Sequence, residues 1–227
     1  MKNPGVFLTA SIQYNLLAFR HDQLWLPGAI WLLVVIMFFF FQSEMYTMDV
    51  AGGYLGAVIP LIAGVLSASV VLGDPALELQ LSTPRSRLAI LFERLGVILA
   101  TSAVTALSFQ AFLAIVGVDM STFGSFLTLQ LDWLVPSLAL IGLSCALGFT
   151  FGQPTPGSLI TGLLWIVQLI LRDWFVTSPV ARYFFLFTGV RDPQSPYLAA
   201  NLACLAGIAI ILFLLTSYLF RKTERYL

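Results

Sequence analysis

Charge is what this chain has least of. Asp, Glu, Lys and Arg together make up 10% of the 227 residues, against roughly 25% in an ordinary soluble domain. With 59% hydrophobic residues and a mean hydropathy of +0.94, the chain cannot cover a water-facing surface. Only one histidine, His21, is present, which excludes bis-imidazole haem ligation and argues against a His-rich metal centre. The two cysteines, Cys145 and Cys204, both lie inside apolar runs, so they supply neither a disulfide framework nor a metal cluster. Lysine occurs twice, at Lys2 and Lys222, and neither stands in a Gly-x-x-x-x-Gly-Lys-Ser/Thr setting. The chain therefore has no phosphate-cradling loop and no ATPase motif of its own. No Ser/His/Asp, His-Glu-x-x-His or paired intramembrane Asp pattern points to a protease. Formal net charge is +0, so no nucleic-acid partner is implied.

What remains is a series of long apolar runs, and a span needs about 20 such residues. Six are expected, at about 24–41, 50–73, 95–118, 133–151, 157–171 and 197–220. The expected fold is an all-α membrane protein, one transmembrane domain over 1–227. Pro60 is expected to bend the second span, and Pro136 stands near the start of the fourth. Lys2, Arg20, Arg85, Arg87, Arg94, Arg221, Lys222 and Arg225 fall on one side of this arrangement; Arg172, Arg182 and Arg191 fall on the other. Positive residues concentrate on the cytoplasmic face, so both termini are expected there, in a bacterial-type plasma (inner) membrane. The opposite loops collect Glu44, Asp49, Asp119, Asp173 and Asp192. No secretory leader is expected, since the first apolar run starts late and lacks a cleavage site. Instead Asn3-Pro4 reads as a helix start, and Leu8, Ile12, Leu16 and Phe19 share a stripe, predicting an interfacial helix over 1–23.

Polar residues inside the spans are few. Thr105, Ser108, Gln110 and Gln168 are expected to hydrogen-bond between helices. Gly52-xxx-Gly56 and Gly148-xxx-Gly152 mark candidate close helix contacts. Asp132, beside Trp133 at the edge of the fourth span, reads as an interfacial residue rather than a proton carrier.

Two connections exceed what topology requires. Residues 172–196, RDWFVTSPVARYFFLFTGVRDPQSP, are too apolar for a free loop and too short for two spans. Irregular backbone at membrane depth must be covered by protein or line a cavity. Two short helices dipping into the outer leaflet satisfy that requirement, carrying Phe184, Phe185 and Phe187 and broken near Gly189 and Arg191-Asp192-Pro193. The alternative is a loop lying flat on the outer surface with its aromatics in the interface. The other connection is the basic 74–94 loop. Gly73-Asp74-Pro75 ends the second span, and Thr83-Pro84 reads as an N-cap with proline at the first helical position, starting a helix that runs into the third span. Arg85, Arg87 and Arg94 would sit at headgroup level.

Within that loop, Leu77, Glu78, Leu79, Leu81, Thr83, Pro84, Ser86 and Arg87 form a pattern that resembles the cytoplasmic loop of type-2 ABC transporter permeases. Pro75 and Ala76 stand where Gly-Thr is usual in that family, and Gln80 replaces a leucine. The interfacial helix, six spans and external hairpin agree with the family layout over the whole chain. The resemblance implies a coupling helix around Glu78 to Arg87, including Arg85, that a cytoplasmic ABC ATPase dimer contacts. ATP and Mg would be bound by that partner, and this chain would hold no cofactor. It further implies a second permease copy or sister permease, a path between spans one, two and five, a re-entrant hairpin at 172–196, and export. The charge-poor interior favours a hydrophobic or amphiphilic cargo in contact with membrane lipids. A non-transporting membrane anchor and a lipid-acting assembly factor are the alternative readings.

Overall fold

The computed structural model describes residues 21–40, 44–72 and 87–222. The expected interfacial helix (residues 1–20 of it) and most of the 74–94 loop, with Leu77, Glu78, Leu79, Leu81, Thr83, Pro84, Arg85 and Ser86, lie outside the described residues.

Among the described residues every regular element is helical. Helix α1 is His21–Phe40. Helix α2, Glu44–Gly53, continues through a π-helical turn, Tyr54–Val58, into α3, Ile59–Leu72. Then follow α4 (Arg87–Val116), a 3-10 turn at Met120–Phe123, α5 (Phe126–Phe151) and α6 (Pro154–Ile170). Three short pieces come next: α7 (Arg172–Thr177), a 3-10 turn (Ala181–Phe184) and α8 (Thr188–Arg191). Helix α9, Leu198–Lys222, is the last. Four helices are long and apolar enough to cross a membrane: Thr47–Ser69, Leu88–Val116, Phe126–Phe151 and Leu198–Arg221. Two shorter apolar helices, Trp25–Phe40 and Pro154–Ile170, accompany them. The chain is a membrane-embedded helical protein.

Local chemistry explains the boundaries. Proline 60 cannot donate to the carbonyl four residues back. The helix absorbs this by widening just before it, with the Ile59 N–H bonded to the Tyr54 carbonyl, a π turn of the kind that kinks helices. The expected bend is thus placed one turn ahead of the proline. Helix α5 begins two turns earlier than the apolar run predicts, because Ser125 accepts a bond from the Thr128 N–H and starts the helix at Phe126. Pro136 is accordingly interior and buried rather than near the start. The preceding turn is capped by Asp119, which accepts from the Ser121 N–H at 2.9 Å. Those hydrogen bonds hold its exposed carboxyl below the ordinary aspartate pKa. Gly152, at φ +67°, terminates α5 with its N–H on the Gly148 carbonyl, the left-handed stop that favours glycine. Pro154 then opens α6 at its first position.

The packing is inside-out relative to a soluble bundle. Helix α5 is central, packed against α3, α6 and α9. Where α3, α5 and α6 meet, the contact surfaces are small. A Cβ on Gly64 would lie 2.7 Å from Leu140 Cβ, and one on Gly157 would overlap the Ser144 carbonyl oxygen and crowd Ala68. Gly148 likewise admits Leu72 and Ala68. With no water to expel between helices in lipid, close backbone approach over Gly, Ala and Ser supplies the attraction as dispersion. Helix α6 displays the consequence: Gly157, Thr161 and Gln168 are buried, whereas Leu159, Leu163, Ile166 and Ile170 face outward. Helix α1 docks on α4 through rings instead, Trp31 and Phe38 meeting Phe112 edge-on at 6.4 and 5.4 Å.

Of the polar residues expected to join helices, Gln110 does so, exchanging hydrogen bonds with Gln130 of α5 at 3.3 and 2.7 Å. Trp133 Nε1 donates to the same Gln130 at 2.8 Å. Thr105 and Ser108 bond carbonyls of their own helix, as helical hydroxyls commonly do. Arg94, near the start of α4, is buried at 3% exposure. Arg87 is the first described residue of α4.

Candidate functional site

The segment between α6 and α9 carries the unusual chemistry. Arg172–Thr177 and Ala181–Phe184 lie outside the main bundle, with no buried residue. The chain then turns inward, and Phe185, Leu186 and Phe187 are all buried, together with Ala57, Val135, Leu140 and Leu205. Phe185 stacks on Phe175 at 5.5 Å and meets Phe187 edge-on at 5.3 Å. Trp165 of α6 closes the cluster against Phe187 at 5.6 Å, and its indole N–H donates to the Ala57 carbonyl in the π turn at 2.9 Å. Phe184 is at the margin, partly exposed.

Phe185 is extended and residues 186–187 form a turn, so this stretch lacks a regular helical ladder for its polar groups, and each one left bare would be costly. Two side-chain amides supply the bonds. Gln168 of α6 donates to the Phe184 carbonyl at 3.3 Å and accepts from the Leu186 N–H at 2.9 Å. Asn201 of α9 donates to the carbonyls of Arg182 and Phe185, both at 2.9 Å. Both amides are nearly sealed, Gln168 at 4% and Asn201 at 1% exposure. Gln168 therefore joins a helix to a non-helical segment, not helix to helix. Asn201 was not singled out by sequence; its only signal was being the one amide in an otherwise apolar span.

Helix α8 completes the insertion. Val190 fills the space left by Gly52 and Gly56, so that glycine pair seats the short helix α8 of the inserted segment. Gly189 is not a break, because it lies within α8. It is glycine because a Cβ there would fall on the Asp132 carboxyl. Asp132 is correspondingly buried. It stands two turns into α5, 8% exposed, with Oδ1 lacking a hydrogen-bond partner. The breaks in the segment are at Ser178–Val180, at the irregular 185–187 stretch and from Asp192 on.

A cleft of about 370 Å³ opens beside this insertion. One wall is an i, i+4, i+8 stripe, Asp49, Gly53 and Ala57; the other is Leu169 and Arg172. Phe185, Phe187, Val190 and Arg191 line the back. Asp173, beside the mouth, lies 3.3 Å from Arg191 and 3.8 Å from Arg172. Arg182 takes no part; its guanidinium stacks over the Tyr197 ring at 3.8 Å. No group of three or more His, Cys, Asp or Glu suited to a metal occurs among the described residues.

No protein-family model, curated protein or solved structure matches this chain.

Proposed function

We propose that this chain is the permease subunit of an ATP-driven transporter of the type-2 ABC class, moving a hydrophobic or amphiphilic substrate outward. The observation that carries the reading is the segment between α6 and α9. Its irregular backbone enters the bundle and is satisfied there by Gln168 and Asn201, the condition under which a re-entrant outer hairpin is stable at membrane depth. The cleft beside it lies between α2 and α6, two of the three spans that would border the path in this class.

On this reading α1 and α6 span as well, making six, with both termini cytoplasmic under the eight-to-three distribution of basic residues. The 74–94 loop forms a coupling helix against a cytoplasmic ATPase dimer that holds ATP and Mg. A second copy or a sister permease closes the other half of the path. Nucleotide-driven movement of the loop then shifts the two permeases between inward- and outward-open states.

The test is substitution of Glu78 and Pro84 by alanine, followed by ATPase association and substrate extrusion from cells or vesicles. The reading expects loss of both. Wild-type association and extrusion in both variants would refute it.

A further inference from the structure

The geometry points to an anionic amphiphile as the ligand of the cleft between α2, the end of α6 and the inserted segment, its headgroup on Arg172 and Arg191 and its apolar part on Phe185 and Phe187. This inference deepens the transport reading by naming the substrate class of the same site. Its physical basis is a division of the cleft by depth. Of the lining residues, Ala57, Phe185 and Phe187 are buried and Val190 half-buried, while the charged ones, Asp49, Arg172 and Arg191, are exposed. At about 370 Å³ the volume lies at the small end of ligand sites, suited to a headgroup with the first few methylenes of a chain rather than a whole lipid.

The sign of the charge follows from the partners. Two guanidiniums and one carboxylate line the cleft. Asp173 lies outside the lining and holds both arginines in place, through contacts at 3.3 and 3.8 Å in which its own side chain is 77% exposed. Ion pairs this open are worth little in water, so an incoming phosphate or carboxylate exchanges for Asp173 at small cost. A planar guanidinium offers two parallel donors to a phosphate, which an ammonium cannot. Within the lining a cationic amphiphile would meet two guanidiniums and the Asp49 carboxylate, with Asp173 beside the mouth already engaged by both arginines.

The test uses the purified full-length chain in neutral detergent, titrated with fluorescent phosphatidylglycerol and, separately, phosphatidylcholine, with polarisation as the readout. Phosphatidylglycerol should bind about tenfold more tightly. Arg172→Gln with Arg191→Gln should abolish that preference, while Arg221→Gln, at the far end of α9, should leave it intact. Asp173→Asn, which releases both arginines, should tighten binding, an outcome that misfolding does not produce. Inorganic phosphate should compete only weakly, lacking contact with the phenylalanine floor. Equal binding of the two lipids, an unaffected double variant, no tightening in Asp173→Asn, or full displacement by phosphate at the affinity of the lipid would each overturn the assignment. No ATPase is present in this measurement, so its failure and the failure of the coupling test are separate results.

Discussion

Asn201 and Gln168 help to hold the inserted segment in place, because each bridges two of its backbone groups in an apolar surround. Asn201→Leu keeps the volume and removes the donor, taking its bond from the Arg182 carbonyl and leaving the Phe185 carbonyl only the Thr188 hydroxyl. It should cost about 1–3 kcal/mol, read as a lowered midpoint of thermal unfolding in detergent. An unchanged midpoint would mean that the two carbonyls are satisfied without it. Gly189→Ala should cost a similar ~1–3 kcal/mol by overpacking, since the methyl group falls on the Asp132 carboxyl. Gly189→Ala combined with Asp132→Ala should recover part of that loss, which distinguishes the steric contact from a simple loss of helix fit. At this scale the sequence told part of the story. Gln110, Gln168 and Asp132 stood out as polar atoms in apolar runs, but the partner of each is set by tertiary placement. Hence Gln168 pairs with loop backbone, Asp132 lies under α8, and Thr105 and Ser108 fold back on their own helix.

The elements follow from caps and breakers more closely than from hydropathy. Gly152, Pro154 and Ser125 fix the ends of α5 and α6, whereas the apolar run alone began the fourth span at Trp133. It did so because Gln130 and Asp132 interrupt the run, and their burial depends on Gln110 and the inserted segment. The inserted segment itself was legible, since a stretch with four consecutive apolar residues, Phe184–Phe187, between charged ends fits neither a span nor a free loop. Its internal breaks were not, because Gly189 suggests a turn until its close neighbour is known. Helix α6 carries the sharpest prediction at this scale. Gly157 sits where α3, α5 and α6 converge, with the Ser144 backbone occupying the position of a Cβ, and backbone cannot yield as a side-chain tip can. Gly157→Val should prevent α6 from docking and expose the chain to proteolysis in detergent, while Leu163→Val on the outward face should change the unfolding midpoint by less than about 1 kcal/mol equivalent. Equal behaviour of the two would contradict a small-residue packing face.

For the molecule as a whole, four membrane-length helices and two shorter apolar ones enclose a segment that is neither span nor surface loop. The proposed topology puts Ser86 inside and Ser178 outside. In a variant with Cys145→Ser and Cys204→Ser, a cysteine placed at Ser178 should react with a membrane-impermeant maleimide in intact cells, and one at Ser86 only after permeabilisation. The reverse pattern would invert the orientation. Motif and layout carried the ABC reading from sequence, because the 74–87 pattern joins local helix signals to a resemblance in spacing. Cargo was beyond it, since a cleft is assembled from residues as distant as Asp49 and Arg191. The central claim is that an external ATPase drives this chain through its basic loop. The most direct measurement is purification of the tagged full-length chain from its native membranes with assay of ATP hydrolysis in the eluate. An ATPase should co-purify with the wild-type chain and be lost from the Glu78→Ala, Pro84→Ala double variant at equal chain recovery. An eluate without nucleotide hydrolysis, or hydrolysis retained in full by the double variant, would contradict it.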